Sequence, residues 1–141
     1  MKNIKLLVFI FLVDTLSLNA QEPSNLYPLE AKIKYHTDWT KNHYVGRLNE
    51  FSSDPAKDGD IIFIGDSITE GGKTWSSKLN RNNIKNRGIS GDVTDGVIAR
   101  LGEIFYFKPK AVFIMIGVND LFNLHYQKEI PSPEYVGNNV L

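Results

Sequence analysis

Three strand-like segments, each followed closely by a glycine, constrain the fold of this chain more than any other feature. Residues 61–64 and 111–116 are continuous runs of aliphatic and aromatic side chains, before Gly65 and Gly117 respectively. Such runs are typical of strands that are buried on both faces of a parallel sheet. Residues 83–86, which precede Gly88, predict a second and shorter strand between them.

Helical patterns lie between these segments. Residues 75–79 predict a short helix, and apolar side chains recur at a helical period over residues 97–104. Asp92 or Thr94 can cap the second helix, because a short polar side chain accepts a hydrogen bond from the first free N–H groups. Alternation of strands and helices at this spacing predicts an α/β fold with a parallel sheet and right-handed crossovers.

The first twenty residues predict a secretory signal peptide rather than part of the fold. Lys2 and Lys5 make a basic start, Leu6 to Val13 form an unbroken apolar run, and Ala20 supplies a small residue for cleavage. The run is shorter than the roughly 20 residues that span a bilayer, so we expect no stable membrane anchor. A buried N-terminal helix or strand is the alternative. The expected location is secreted or periplasmic.

The rest of the chain divides into a lead-in and one domain. Residues 21–57 predict a polar and aromatic lead-in, with an amphipathic helix near residues 37–51, and residues 58–141 predict the α/β domain. Ser132 and Pro133 predict the start of a further helix, as cap and first helical residue. Three strands followed by a half-finished helix lead us to expect a partial domain, truncated after the third strand.

Composition excludes several classes of protein. The chain has no Cys, hence no disulfide framework or thiolate nucleophile, and 42% hydrophobic residues is too many for a disordered chain. Lys and Arg total 16, as do Asp and Glu, so charge offers no reason to expect nucleic acid as a partner. The three histidines show no metal-ligand spacing, and we expect neither a metal nor a cofactor.

Candidate functional residues follow each predicted strand. Ser67 comes after the first strand, Gly91 after the second and Asn119 after the third. Because the carboxyl ends of parallel strands meet at one edge of a sheet, we expect these residues to converge. A Ser hydroxyl can attack an ester carbonyl, while a glycine N–H and an Asn amide can stabilise the resulting oxyanion. The set therefore predicts acyl transfer.

In these loops the sequence resembles the SGNH hydrolases, the family of GDSL-type esterases and lipases. The matching blocks are Ile64 to Gly71, Asn86 to Asp92 and Gly117 to Asp120. The resemblance covers about residues 58–141. It implies a three-layer αβα, flavodoxin-like fold, Ser67 as nucleophile, and an oxyanion hole made of the N–H groups of Ser67 and Gly91 with the side chain of Asn119. It also implies an acyl ester substrate, such as an acetyl ester of a small molecule, carbohydrate or lipid, and no cofactor.

The sequence departs from this family at the general base. The family's last block is Asp-x-x-His, whose histidine activates the serine. The histidines here are His36, His43 and His125, and the residues three positions before them are Ile33, Thr40 and Phe122. No Asp-x-x-His pair exists, so we expect the 141-residue chain to have little or no esterase activity. We interpret His36 and His43 as ordinary lead-in residues, and His125 as a surface or packing residue.

Three alternatives remain open at this point. An SGNH-like domain without the base is a candidate for a non-catalytic binding domain. Ser67 followed by Gly72, Lys73 and Thr74 is one residue away from a phosphate-binding loop pattern, although the loop would be too long. Ser67 with Glu70 also matches a capping box, in which the serine would cap a helix. Asp66 and Asp120 are expected to organise their loops through hydrogen bonds.

Overall fold

The sheet consists of three parallel strands in the computed structural model, which describes residues 26–141. The strands are β1, Ile61–Gly65; β2, Ile84–Gly88; and β3, Ala111–Met115, in the order β2-β1-β3. Gly65 lies opposite Gly88 on one side and opposite Met115 on the other, so the carboxyl ends of the strands are level. The predicted α/β class with a parallel sheet is confirmed. The predicted signal peptide, residues 1–20, lies outside the described residues.

Helices connect and flank the strands. They are α1, Asp38–Ser53; α2, Ser67–Gly71; α3, Trp75–Lys78; α4, Thr94–Ala99; α5, Gly102–Phe107; α6, Val118–Phe122, continued by a π-helical turn, Asn123–Gln127; and α7, Pro133–Val140. Among residues 26–141, no helix has the length and apolar character needed to cross a membrane. The predicted start of α7 is found: the Ser132 hydroxyl accepts a hydrogen bond from the Tyr135 N–H.

The single helix predicted over residues 97–104 is instead two short helices. α4 ends at Ala99, α5 begins at Gly102, and the Arg100 side chain between them is buried. Neither predicted cap is used, since Val93 is the N-cap of α4 and no side chain caps it. The reason is tertiary: the Asp92 carboxylate accepts hydrogen bonds from Arg100 and His36, and the Thr94 hydroxyl donates to Asp120.

The lead-in packs against the α/β domain. Tyr44, Leu48 and Phe51 of α1 form a buried cluster with Ile89, the residue that follows β2. A second cluster joins the segment before α1 to the C-terminal helix; its members are Ile33, Tyr35, Val93, Ile130 and Val136. The lead-in therefore contributes to the core around the loop after β2, and it reaches the edge of the sheet where the candidate residues lie.

The third strand is less buried than predicted. Ile62 and Ile64 of the central strand β1 are buried, whereas Phe113 and Ile114 of β3 are 57% and 59% exposed. Among the described residues β3 pairs only with β1, so it is an edge strand. The expectation of a strand covered on both faces is wrong for the second half of β3: these side chains remain more than half exposed, although the Phe113 ring contacts that of Phe63 on β1.

Candidate active site

Ser67 occupies the turn between β1 and α2. Asp66 caps α2, because its Oδ1 accepts a hydrogen bond from the Ile68 N–H at 2.9 Å. The capping-box prediction is therefore wrong: Ser67 is the first helical residue, and the residue before it is the cap. The Ser67 side chain is exposed and forms no hydrogen bond with any residue between 26 and 141. Its hydroxyl is free to meet a substrate, and its N–H belongs to the unpaired first turn of a helix.

Asp66 is a buried carboxyl directly beneath this turn. It is 1% exposed, and its Oδ2 has no hydrogen-bond partner in the described part of the chain. Burial raises the pKa of the Asp66 carboxyl; the Ile68 N–H opposes this effect, and the carboxylates of Asp92 and Asp120 add to it. Asp66 thus organises the turn by capping α2, as the sequence predicts.

Gly91 lies in the loop after β2 at a position that requires glycine. Its φ is +80°, and a Cβ placed there would lie 2.9 Å from Oγ1 of Thr40 on α1. L-residues with a side chain rarely adopt this conformation. The Gly91 N–H donates no hydrogen bond to another residue of the described range. The backbone at Gly91 therefore presents an unpaired donor on a residue that has no side chain of its own, next to Thr40 of α1.

Asn119 is the second residue of α6, immediately after β3. Its Nδ2 donates to the backbone oxygen of Asp92 at 2.8 Å. An amide nitrogen carries two hydrogens, so one donor remains for a ligand. The next residue, Asp120, accepts hydrogen bonds from the Thr94 N–H at 3.1 Å and from the Thr94 hydroxyl at 2.6 Å. These contacts attach the loop after β3 to the loop after β2.

The strand register brings the three candidate residues to one edge of the sheet. Ser67, Gly91 and Asn119 follow the aligned residues Gly65, Gly88 and Met115 on neighbouring strands. Neighbouring strands are about 4.8 Å apart. A cleft of about 720 Å³ opens beside Ser67, which lines it together with Glu70 and Ser90, whereas Gly91 and Asn119 are not among its lining residues. An ester of moderate size fits a cleft of this volume.

The buried ion pair between Asp92 and Arg100 lies behind this edge of the sheet and contacts its backbone. Arg100 Nη2 lies 2.9 Å from Asp92 Oδ2, and both side chains are almost completely buried. Arg100 also donates to the backbone oxygens of Arg87 at 2.7 Å and Gly65 at 3.1 Å. One guanidinium therefore holds the ends of β1 and β2 and the loop that contains Gly91.

Two histidines of the lead-in contact acidic residues of the site. His36 Nε2 lies 3.0 Å from Asp92 Oδ1, and His43 Nε2 lies 2.9 Å from Glu70 Oε2. The interpretation of these residues as ordinary parts of the lead-in is wrong. Nothing in the sequence indicates these contacts, because the partners are 56 and 27 residues apart. His125 is exposed and contacts the ring of Tyr126.

Glu70 lies beside the candidate site, and sequence analysis did not predict its contacts there. Its carboxylate accepts hydrogen bonds from the N–H of Ser90, from the Ser90 hydroxyl at 2.6 Å, and from His43. A capping box would have turned this side chain back toward the start of α2. The structure does not favour the phosphate-loop alternative either, because residues 67–71 are helical rather than an open loop and Lys73 follows the end of that helix.

Glu70 makes stability depend on pH. Burial favours a higher pKa, but the hydrogen bonds from Ser90 and His43 outweigh it and hold the pKa of Glu70 below its ordinary value of 4.5. The ionised form of Glu70 is thus favoured in the folded state. The resulting stabilisation is fully present above pH 4.5, the ordinary pKa, and is lost as the pH falls through the lowered pKa. We expect Glu70→Gln to lower the free energy of unfolding at neutral pH, and the difference from wild type to shrink in acid. Urea titrations over a pH series would measure it; a difference independent of pH would contradict the assignment.

Comparison with known proteins agrees with this architecture. The family model described as GDSL-like Lipase/Acylhydrolase family matches residues 63–136. The match begins within β1, extends into α7 and includes all three candidate loops. No curated protein matches the chain.

Proposed function

The chain belongs to the GDSL-like lipase/acylhydrolase family, and from this premise we propose that it is a serine ester hydrolase that forms an acyl-enzyme on Ser67. Ser67 Oγ attacks the ester carbonyl carbon, the alcohol leaves with a proton, and water then releases the acid from Ser67. The oxyanion is stabilised by the backbone N–H groups of Ser67 and Gly91 and by the second N–H of the Asn119 side-chain amide. The observation that carries the proposal is an exposed, unbonded Ser67 hydroxyl at the edge where those donors lie.

The base is the part of the machinery that this sequence does not identify. It contains no Asp-x-x-His pair, and the ring nitrogens Nε2 of His36 and His43 are engaged with Asp92 and Glu70. A serine hydroxyl without a base is a weak nucleophile. We therefore propose that the 141 residues alone turn over esters slowly or not at all, although Ser67 can still be acylated by an ester with a good leaving group.

The substrate proposed is an acyl ester, acetyl esters included, of a small molecule, carbohydrate or lipid. The cleft beside Ser67 supports a ligand of moderate size. Export from the cytoplasm, by the signal peptide expected over residues 1–20, belongs to the same proposal. N-terminal sequencing of the protein from its native host tests the export: we expect cleavage after Ala20.

The experiment that tests the reaction uses 4-nitrophenyl acetate with the 141-residue chain, with and without imidazole as an external base. We expect mass spectrometry to find one acetyl group on Ser67, formed faster when imidazole is present. Release of 4-nitrophenol should stop near one equivalent when no base is added. Absence of an acetyl group from Ser67 in both conditions would contradict the proposal, and would favour the non-catalytic binding domain.

Asn119→Asp should slow this acylation strongly, because it replaces an N–H donor by an oxygen of nearly the same size. Loss of one oxyanion donor typically lowers the rate by about 10²–10³-fold. The measurement is the rate at which acetyl-Ser67 accumulates, with thermal unfolding to verify the fold. Asn138→Asp on the exposed surface of α7 is the control and should acylate at the wild-type rate. An unchanged rate in Asn119→Asp would remove this side chain from the oxyanion hole.

A further inference from the structure

Glu70 links the helix of the nucleophile to the loop of the oxyanion hole. Ser67 and Glu70 lie three positions apart on α2, a spacing that places side chains on one face of a helix. The Glu70 carboxylate accepts from both the N–H and the hydroxyl of Ser90, the residue before Gly91. It therefore fixes the chain immediately ahead of the Gly91 donor relative to Ser67.

The carboxylate of Glu70 is itself held by α1. His43 Nε2 approaches both of its oxygens, at 3.1 Å and 2.9 Å, and Arg47 Nε lies 3.7 Å from Oε1. The His43 ring is stacked on Trp39, with ring centroids 5.0 Å apart. Hydrogen bonds to an ionised carboxylate are stronger than neutral ones. With its side chain only 21% exposed, Glu70 is held firmly in place.

Gly91 needs such an anchor because glycine is the most flexible residue of the backbone. On its C-terminal side the chain is fixed by Asp92, which is fully buried and paired with Arg100. On its N-terminal side the contacts of Ser90 with Glu70 do the same. The N–H of Gly91 belongs to the Ser90–Gly91 peptide, so its direction depends on both anchors.

From these contacts we propose that Glu70 is a positioning residue of the oxyanion hole: its carboxylate, held by His43, aligns the Gly91 N–H with the carbonyl oxygen of an ester on Ser67. This inference rests on the proposed function. Glu70 lines the cleft beside Ser67, but in this proposal it acts on the reaction through Ser90 rather than through a contact with the substrate. Misplacement of one reacting group by about 1 Å can cost a rate factor of about 10².

The test compares Glu70→Gln with wild type in two reactions at Ser67. One is the rate of acetylation by 4-nitrophenyl acetate, and the other is the affinity for phenylboronic acid, whose tetrahedral adduct on the serine places an oxygen in the oxyanion hole. We expect the acetylation rate to fall by about 10- to 100-fold. The dissociation constant of the boronate should rise by a similar factor, because a transition-state analogue uses the same donors.

Asp38→Asn is the matched control. Asp38 is an exposed carboxylate on α1 that pairs with Lys41, has no contact with Ser90 and does not line the cleft beside Ser67. It should leave both measurements unchanged. Ser90→Ala is the second variant: it removes the hydroxyl contact and keeps the backbone contact, so its effect should be in the same direction and smaller than that of Glu70→Gln.

The outcomes separate this inference from the proposed function. A folded Glu70→Gln protein with wild-type acetylation and boronate affinity would overturn the positioning role and leave the esterase proposal standing. An equal loss of acetylation rate in Glu70→Gln and in Asp38→Asn would also overturn it, since it would show an effect of charge alone. If wild-type Ser67 is not acetylated, both proposals fail.

Discussion

Ser67→Ala is expected to abolish acetylation by 4-nitrophenyl acetate completely while leaving the stability of the protein almost unchanged. The Ser67 side chain is exposed and makes no hydrogen bond with a described residue. The cap of α2 is Asp66, so removal of the Ser67 hydroxyl leaves the helix intact. Surface substitutions of this kind usually change stability by no more than about 0.5 kcal/mol. The proposed reaction, in contrast, loses the atom that would bond to the acyl group.

Acetylation followed by mass spectrometry and thermal unfolding together measure this result. Ser52→Ala is the control: Ser52 is exposed on α1, and its hydroxyl donates only to the Asn49 backbone oxygen within the same helix. It should be acetylated on Ser67 like the wild type. If the Ser67→Ala protein still released 4-nitrophenol faster than a protein-free blank with the same imidazole concentration, another nucleophile of the protein would be responsible and our assignment of Ser67 would be wrong.

Arg100→Met is expected to have the largest effect on stability. The guanidinium pairs with the fully buried Asp92 and donates to the backbone oxygens of Gly65 and Arg87. Methionine fills a similar volume, but it leaves the buried Asp92 carboxylate without its positively charged partner. Removing one member of a buried ion pair typically costs about 3–5 kcal/mol. We expect the free energy of unfolding, from urea titration at neutral pH, to fall by about this amount.

Two further variants identify the cause of this loss. Arg81→Met is the control for charge, because Arg81 is exposed and its side chain forms no hydrogen bond or ion pair within the described range. It should leave the free energy of unfolding unchanged. Asp92→Asn in the Arg100→Met background removes the unpaired charge and should recover part of the loss. A loss well below 1 kcal/mol in Arg100→Met would mean that Asp92 finds adequate partners in His36 and the Val93 N–H alone.

Local patterns predicted the parts of the fold that depend on neighbouring residues. The strands around residues 61–64 and 111–116 and the helix after Ser132 follow from apolar runs and from cap and proline preferences, which act within a few residues. The helix predicted over residues 97–104 failed because Arg100 turns inward to Asp92, an interaction that outweighs helical periodicity. The burial of β3 was overestimated because exposure depends on the strand's neighbours.

The same distinction between local patterns and tertiary contacts applies to the candidate site. The sequence alone determined that Ser67, Gly91 and Asn119 follow successive strands, and parallel pairing then requires them to share one edge. Which side chains hold that edge in place depends on tertiary contacts: Glu70 turns to Ser90, 20 residues away, and His36 reaches Asp92, 56 residues away. A carboxylate can satisfy its hydrogen bonds in many ways. The choice among them is made by the packing of α1 against the loop after β2, which no local pattern records.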